Sequence, residues 1–428
     1  MAAFMCIRNY LFQLSLLLFS GSTAYAIDPQ AIEGQLDLRT LDLRQKEIKL
    51  SGYWDFYMSR FIDPERFKND SAYIKDRDFI DFPSTWNSIT RSSDGGEGFA
   101  TYHLKIILAS HQFPLALALP EVYSSYKLWI NEVPIAQNGV VASKKEGAIP
   151  QWLPQTIAFQ PASDTLELVL QISNFHHYKG GAHSPIYLGE AAMMEAKAML
   201  TIWSNRILVV CLWLMTLVFL AIYFFSNKGL AFLYFAGMCF TWSIRSVLPP
   251  QYLLVRYFPD FPWEFMVRVE YITIYLTMIF GVLFLGRLFK YDVNFLFKYF
   301  FVGGNFIFIF TTLLLSVAVF TQLLPIYLSF CILLIVYSLG VVFRALVYER
   351  PGVWWMIGSI LMGILIFAYD ILAYQEVVPY NPLIINGSYL LIFLLNGACL
   401  LWIMQFSTKT RKDSSRLNWE DFYQKENE

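Results

Sequence analysis

The fold is decided by the stretch ILVVCLWLMTLVFLAIYFF, which runs from Ile207 to Phe225 and contains no Asp, Glu, Lys or Arg. An apolar run of about 20 residues is long enough to cross a bilayer as an α-helix. Six similar segments follow. The seven are Ile207 to Phe225, Leu230 to Leu248, Phe265 to Phe284, Tyr299 to Thr321, Ile326 to Leu346, Val353 to Tyr374 and Pro382 to Trp402. The sequence therefore predicts a seven-helix transmembrane bundle over residues 207–406.

Basic residues between the predicted spans indicate an orientation, because cytoplasmic loops carry an excess of Lys and Arg. They gather on one side of the bundle: Lys228, Arg287, Lys290, Lys298, Arg344, Arg350, Lys409, Arg411 and Lys412. That side includes a short cytoplasmic tail, residues 407–428, whose basic start suits anionic membrane lipid. We expect a multi-pass protein of a bacterial inner membrane, with its N-terminal domain in the periplasm and its C-terminus in the cytoplasm.

The amino-acid composition agrees with a membrane protein and argues against a protein that binds nucleic acid. Hydrophobic residues make up 56% of the 428 residues and charged residues 15%, whereas about 25% of residues are charged in a soluble domain. The formal net charge is −1. Because nucleic-acid binding needs a basic surface, no nucleic acid is expected as a partner.

Residues 1–26 have the features of an export signal. Arg8 supplies a positive charge, an apolar run extends from Leu11 to Phe19, and Ala24-Tyr25-Ala26 matches the pattern at which signal peptidase cleaves. The alternative is an uncleaved first helix, but the apolar run is short of the roughly 20 residues that a span needs. The mature chain is therefore expected to begin near Ile27.

Residues 27–190 have the pattern of a β-rich domain. Short alternating runs such as Leu36 to Arg39, Tyr102 to Ile106, Leu115 to Leu119, Tyr126 to Ile130 and Leu166 to Leu170 are separated by turn residues. Many short strands with regular turns predict a β-sandwich, a jelly roll of eight or so strands. The region contains no cysteine, so no disulfide and no thiolate metal site is expected there. Residues 191–206 then form a juxtamembrane linker.

Four motifs of this region occur in an order that is similar to the galactose-binding-like jelly roll. They are Gly52-Tyr53-Trp54-Asp55-Phe56-Tyr57, Phe82-Pro83-Ser84-Thr85-Trp86, Thr101-Tyr102-His103-Leu104 and Leu128-Trp129-Ile130-Asn131. That module occurs at the front of family 2 glycoside hydrolases and in many carbohydrate-binding proteins. The resemblance implies a domain that senses a small ligand, with carbohydrate as the candidate class.

The candidate ligand-binding residues are Asn174, His177, Lys179 and Trp152. The first three belong to a glycine-containing turn, in which an amide and an imidazole suit sugar hydroxyls. Trp152 lies between two prolines and is expected to be an exposed stacking surface, whereas Trp54 and Trp129 sit in strand patterns that indicate burial. The alternative for the turn is a hairpin corner whose Asn and His satisfy backbone groups. Adjacent histidines on a strand face opposite ways, so a metal site is not expected.

Four polar residues inside the predicted spans form a second candidate site. Arg245, Glu270, Asp370 and Asn386 all fall near the outer end of their spans, and polar groups inside spans usually face the bundle interior. We expect an intramembrane polar cluster in which Arg245 pairs with a carboxylate, the bundle opening or tightening as that pairing changes. The alternative is a static clamp between helices or a lipid-headgroup contact.

An exported jelly roll followed by seven spans resembles the bacterial seven-transmembrane receptors with diverse intracellular signalling modules. The likeness covers Gly52 to Gly189 and Ile207 to about Phe406. It implies a receptor that passes a periplasmic signal to a cytoplasmic enzyme. Residues 403–428 contain none of the motifs of such an output enzyme, so a separate cytoplasmic signalling protein is the expected partner. A divided reading frame stays open, as does a homodimer.

The leading hypothesis is thus a membrane sensor without catalytic residues or cofactor. One alternative is a transporter or envelope-assembly component with a glycan-binding periplasmic domain, which would be expected to show broken helices at mid-membrane. Another is a membrane enzyme, for which Glu270, Asp370 and His183 are the only loose set of acid–base groups.

Overall fold

The computed structural model describes residues 29–69, 77–88, 95–109, 113–225, 229–249, 251–374, 378 and 380–425. The predicted signal peptide, its cleavage point at Ile27, and Lys228 lie outside these residues.

The N-terminal part folds into strands that follow the predicted alternating runs. They are β1 Gln30–Ala31, β2 Gln35–Asp37, β3 Ile48–Met58, β4 Asp78–Phe82, β5 Gly98–Ile107, β6 Leu115–Leu119, β7 Ser125–Ile130, β8 Val133–Asn138, β9 Gln155–Phe159, β10 Thr165–Asn174 and β11 Ile186–Glu190. Short helical turns lie at Pro64–Asn69 (α1), Trp86–Ser88 and Lys145–Gly147.

Strand β3 joins the two faces of this sandwich. The hydrogen-bonded order is β8-β7-β10-β5-β3-β11-β6-β9. Residues 52–58 of β3 pair with β4 and β5, whereas residues 48–50 pair with β11. Gly52 stands where the pairing changes, with a positive φ of 106° that favours glycine. One long strand thus contributes to both layers, as the predicted jelly-roll sandwich requires.

The core of the sandwich lies between the layers and is rich in aromatic residues. Trp54 is fully buried and stacks on Phe82 with ring centroids 4.1 Å apart. Trp129 is 8% exposed. The burial predicted for Trp54 and Trp129 is therefore confirmed. Burying an aromatic side chain of this size stabilises the fold by ~3 kcal/mol.

The C-terminal part is helical. Its helices are α2 Ala191–Phe225, α3 Ala231–Val247, α4 Leu253–Tyr257, α5 Trp263–Leu288, α6 Phe295–Leu314, α7 Val317–Phe320, α8 Leu324–Val347, α9 Val353–Tyr374 and α10 Pro382–Lys425, with a short turn at Thr321–Leu323. Six of the seven predicted spans overlap one long helix each: α2, α3, α5, α8, α9 or α10. The span predicted from Tyr299 to Thr321 begins within α6 but runs past its end at Leu314 and includes α7.

Six helical segments in the described part are long and apolar enough to cross a membrane. They are Ala191–Phe225, Trp263–Leu288, Phe295–Leu314, Val317–Val347, Val353–Asp370 and Pro382–Gln405. Helix α3 has 17 residues, about 25 Å at 1.5 Å per residue, which is the lower end of the range for a span. The predicted fold class, a β-sandwich followed by a membrane helix bundle, is confirmed.

The region predicted as a juxtamembrane linker is helical and continuous with the first span. Helix α2 begins at Ala191, directly after β11 ends at Glu190. Its 35 residues would extend about 52 Å, well beyond the ~30 Å of a bilayer core. Its first turn packs on the sandwich, where Ala191 and Met194 are buried against Ala116 of β6.

Backbone hydrogen bonds fix this strand-to-helix connection. The N–H of Glu190 donates to Leu43 O at 3.0 Å, and the N–H of Ala191 donates to Pro114 O at 3.0 Å. One turn further, Lys197 forms an ion pair with Glu47. Strand β11 and the first membrane helix are therefore joined without an intervening loop.

Candidate functional site

Asn174 holds together the glycine turn that the sequence singled out. Its side chain is fully buried, and its Nδ2 group faces Gly96 O at 2.8 Å, His177 O at 2.7 Å and Lys179 O at 3.0 Å. Its Oδ1 accepts from the N–H of His177 at 3.0 Å. The backbone therefore occupies the polar atoms of this side chain, an arrangement typical of the hairpin-corner alternative.

His177 packs inside the same turn. It is 7% exposed and stacks face to face on Tyr123, with ring centroids 4.4 Å apart and planes 1° apart. Its Nδ1 accepts from the N–H of Lys179 at 3.0 Å. Burial lowers the pKa of His177 to about 4, so the imidazole is neutral at neutral pH. The Lys179 side chain, by contrast, is exposed.

Trp152 is buried, which corrects the prediction of an exposed stacking surface. Only 6% of the residue is exposed. Its ring meets Trp263 edge to face at a centroid distance of 5.2 Å, Tyr252 at 6.0 Å and Tyr123 at 6.2 Å. Trp263 and Tyr252 belong to the helical part, so the bundle itself covers Trp152.

We name this cluster the aromatic junction: Tyr123, Trp152 and His177 of the sandwich with Tyr252 and Trp263 of the bundle. Two hydrogen bonds flank it. Gln151 Nε2 donates to Pro259 O at 2.9 Å, and Arg256 Nη2 donates to Pro154 O at 3.1 Å. The sandwich is thus fixed to the end of the bundle that includes α4, in addition to its connection through α2.

A cavity of about 280 Å³ opens at this same end of the bundle, and we name it the polar cavity because polar side chains lie among its partly apolar lining. It lies between α2, α3, α9 and α10. Six polar side chains among those that line it are Asn205, Arg245, Ser246, Asp370, Asn386 and Tyr389. Three of the four residues predicted to form an intramembrane cluster, Arg245, Asp370 and Asn386, therefore line one space.

The fourth residue, Glu270, reaches the cluster from α5 through Arg245. The guanidinium Nη1 donates to Glu270 O at 3.1 Å and lies 4.0 Å from Glu270 Oε1. Asp370 Oδ2 accepts from the Tyr389 hydroxyl at 3.4 Å, and Asn386 Nδ2 donates to Ser204 Oγ at 2.9 Å.

The bundle half of the aromatic junction was missed at the sequence level. The segment Tyr257 to Trp263 reads YFPDFPW, an aromatic and proline-rich loop between two spans. A loop facing only water is expected to be polar, so this composition indicates a contact surface; in the structure Trp263 is buried, whereas Tyr257 and Phe258 are exposed. It is the signal that would have predicted a docking contact for the sandwich.

The sandwich also carries a charge network that lies away from the junction. His103 is held between two carboxylates, with Nδ1 2.9 Å from Asp55 Oδ2 and Nε2 2.6 Å from Glu167 Oε2. Arg77 lies 3.4 Å from Asp55, and Phe67 stacks on the imidazole with centroids 4.3 Å apart. Burial lowers the pKa of His103, but the hydrogen bonds with Asp55 and Glu167 outweigh it, so the pKa is raised above its ordinary value.

We expect the sandwich to lose stability as the pH rises through the raised pKa of His103. The stabilisation is complete below about pH 6.5, the ordinary pKa in the unfolded chain, and disappears above the folded-state pKa. Thermal unfolding of the full chain, followed from about pH 6 to about pH 9, should show a falling midpoint. The fall should flatten in His103→Gln and persist in the control His176→Gln. An equal fall in His103→Gln would contradict the assignment.

Three acid–base groups were considered for an enzyme, namely His183, Glu270 and Asp370. Each of them contacts a different residue. Within the described residues, His183 faces Glu121 at 3.7 Å and stacks on Tyr123, whereas Glu270 contacts Arg245 and Asp370 contacts Tyr389. No group of three or more His, Cys, Asp or Glu side chains in the described part of the chain is arranged to hold a metal ion.

A sandwich fixed to one end of an apolar helix bundle with a polar cavity defines the class: a multi-pass membrane protein with a folded domain outside the bilayer. Residues 205–407 match the family described as 7TM diverse intracellular signalling. The match covers the helical membrane domain and does not include the sandwich.

Two similar solved structures each match about a third of the chain. A β-glucuronidase of an uncultured Clostridium sp. is 15% identical, with a TM-score of 0.25, covering 33% of this chain and 28% of that chain. A β-galacturonidase from Eisenbergiella tayi is 14% identical, with a TM-score of 0.25, covering 36% of this chain and 26% of that chain. This chain thus spans less than a third of either enzyme, and the likeness carries no argument about activity. No curated protein matches the sequence.

Proposed function

We propose that the protein is a membrane sensor that binds a small ligand, with carbohydrate as the candidate class, and signals through its bundle to a separate cytoplasmic protein. One observation carries the proposal: the sandwich is joined to the bundle at two places, through the continuous β11–α2 connection and through the aromatic junction. A domain that served only to capture ligand would not need two fixed connections to the helices.

The orientation within this proposal places the sandwich in the periplasm and the opposite helix ends in the cytoplasm of an inner-membrane protein. Arg287, Arg344 and Arg350 lie at the ends of α5, α8 and α9 that face away from the aromatic junction. An excess of Lys and Arg is typical of cytoplasmic loops. A separate signalling protein would contact this basic end.

The ligand region proposed for the sandwich is the turn from Asn174 to Lys179. Asn174 would fix its shape, and the exposed Lys179 side chain would be available to the ligand. His177 lies in the turn and also stacks on Tyr123 in the aromatic junction. A ligand that moved this turn would therefore act on the contact with the bundle.

The test is hydrogen exchange of the full chain in lipid nanodiscs, with and without a panel of mono- and disaccharides. We expect a binding sugar to protect residues 174–181 and also to change exchange at the opposite end, in residues 289–294 and 348–352. Lys179→Ala should abolish both responses, whereas Lys127→Ala on β7 should keep both. Protection confined to the sandwich would contradict the sensor role, and no protection by any sugar would exclude carbohydrate as the ligand class.

A further inference from the structure

The polar cavity places charges of opposite sign in one small space inside the membrane domain. Arg245 contributes a cation from α3, and Asp370 contributes an anion from α9. The hydrogen-bonded partner of Arg245 is Glu270, and that of Asp370 is Tyr389. Ionisable side chains within spans are costly and usually serve a function. Arg245 and Asp370 line the same cavity without pairing with each other, which suggests that a ligand binds between them.

Both charges have capacity left for a ligand. A guanidinium has five N–H donors, and the hydrogen bonds of Arg245 within the described residues use one of them, to Glu270 O at 3.1 Å. Asp370 accepts one long hydrogen bond of 3.4 Å from Tyr389, although a carboxylate has about four acceptor positions. The cavity thus offers donors on one side and acceptors on the other.

The remaining walls suit a small polar molecule. Asn205, Ser246 and Asn386 add amide and hydroxyl groups, each of which donates one hydrogen bond within the protein and keeps its oxygen as an acceptor. The rings of Trp242 and Tyr389 lie 5.1 Å apart on the cavity wall, and aromatic faces attract an ammonium group. The volume of about 280 Å³ is just below the roughly 300–1,000 Å³ of drug-sized ligand sites. A ligand of amino-acid size fits these limits.

We propose that the polar cavity binds a small zwitterion, whose anionic group pairs with Arg245 and whose ammonium group pairs with Asp370. Two sources carry this chemistry: a free amino acid, and the headgroup of a phosphatidylethanolamine that enters from the bilayer. The binding itself is independent of the proposed sensor function. Its role as a second sensory input rests on that function.

The first experiment measures equilibrium binding of glycine, alanine, serine and β-alanine to the full chain in nanodiscs of phosphatidylglycerol alone. We expect at least one amino acid to bind, and its single-charge analogues, acetate or propionate and the matching alkylamine, to bind at least tenfold more weakly. Arg245→Gln and Asp370→Asn should each weaken the amino acid at least tenfold. Arg268→Gln, which removes an arginine of α5 outside the cavity lining, should leave binding unchanged.

The variants also test which charge pairs with which group. Arg245→Gln should weaken the carboxylate analogue and spare the alkylamine, and Asp370→Asn should do the reverse. Arg245→Lys and Asp370→Glu keep the charges and should retain most of the affinity. Thermal unfolding without ligand shows whether a variant is misfolded. A misfolded variant is replaced by Tyr389→Phe, which removes one hydroxyl beside Asp370.

The second experiment distinguishes the lipid source. Native mass spectrometry of the protein from membranes rich in phosphatidylethanolamine should show one retained lipid that is lost in Arg245→Gln and Asp370→Asn, if the headgroup is the occupant. The proposal is overturned if neither the amino acids nor this lipid depends on both residues. The sugar-exchange experiment uses the unaltered chain with Lys179→Ala and Lys127→Ala, and not the cavity variants, so its outcome judges the sensor function separately.

Discussion

Replacing Trp152 with alanine should release the sandwich from the bundle while leaving the sandwich folded. Trp152 is 6% exposed, and its ring contacts Trp263 at 5.2 Å and Tyr252 at 6.0 Å. Truncating a buried Trp costs about 3–5 kcal/mol, and here the loss falls on the contact between the two parts. We expect hydrogen exchange to rise in residues 251–263, and a protease to cleave this segment faster than in the unaltered chain.

Trp129→Ala is the matched control for this variant. Trp129 is also nearly buried, at 8% exposure, but it lies on β7 and its charged neighbour is Lys127 of the same strand. Its truncation should lower the unfolding midpoint of the sandwich without raising exchange in residues 251–263. If Trp152→Ala leaves exchange in this segment unchanged, the aromatic junction does not fix the sandwich to the bundle.

The spans were predictable because their signal is local. A helix in lipid must satisfy its own backbone hydrogen bonds and present apolar side chains, so length and hydropathy alone identify it. The predicted span Val353 to Tyr374 coincides with α9 at both ends. The strand pattern of the sandwich is equally local, since residues such as Leu36 to Arg39 alternate between buried and exposed along the chain. The length and hydropathy of the spans and the alternation along the strands were together enough to predict the fold class.

The helical start of α2 is a local feature that was missed. Residues 191–206 are rich in Ala and Met and contain neither Gly nor Pro, a composition that favours a helix. The apolar part of this helix begins after Arg206, so hydropathy identifies only the membrane-spanning part. The helix itself begins at Ala191, beside the sandwich.

The burial of Trp152 could not be predicted from its neighbourhood. Pro150 and Pro154 on either side are typical of an exposed loop, and the residue that covers the ring, Trp263, is 111 positions further along the chain. The intramembrane cluster was easier to predict, because residues at similar distances from the ends of their spans lie at a similar depth in the membrane. Depth alone, however, does not say which helices are neighbours, and so Glu270 lies behind Arg245 instead of in the cavity lining.

Removing the Arg245 side chain should destabilise the bundle more than removing its partner Glu270. In Arg245→Leu, the carboxyl of Glu270 is left buried; it is 15% exposed, and its Oε2 already has no hydrogen-bond partner among the described residues. In Glu270→Leu, the guanidinium still lines the polar cavity, where water can reach it. Breaking a buried ion pair from one side costs about 3–5 kcal/mol, and we expect Arg245→Leu to approach this range.

The double variant Arg245→Leu/Glu270→Leu shows which of two causes accounts for the stability lost in Arg245→Leu. One is the loss of the ion pair itself, and the other is the Glu270 carboxyl that is left buried without a partner. If the cost of Arg245→Leu comes from the carboxyl left behind, the double variant should recover most of the lost stability. Arg287→Leu, an exposed position on the same helix as Glu270, controls for the loss of any positive charge and should change the midpoint little. The measurement is denaturant unfolding of the full chain in mixed micelles. Equal losses in both single variants, with no recovery in the double variant, would show that the two side chains stabilise the bundle independently.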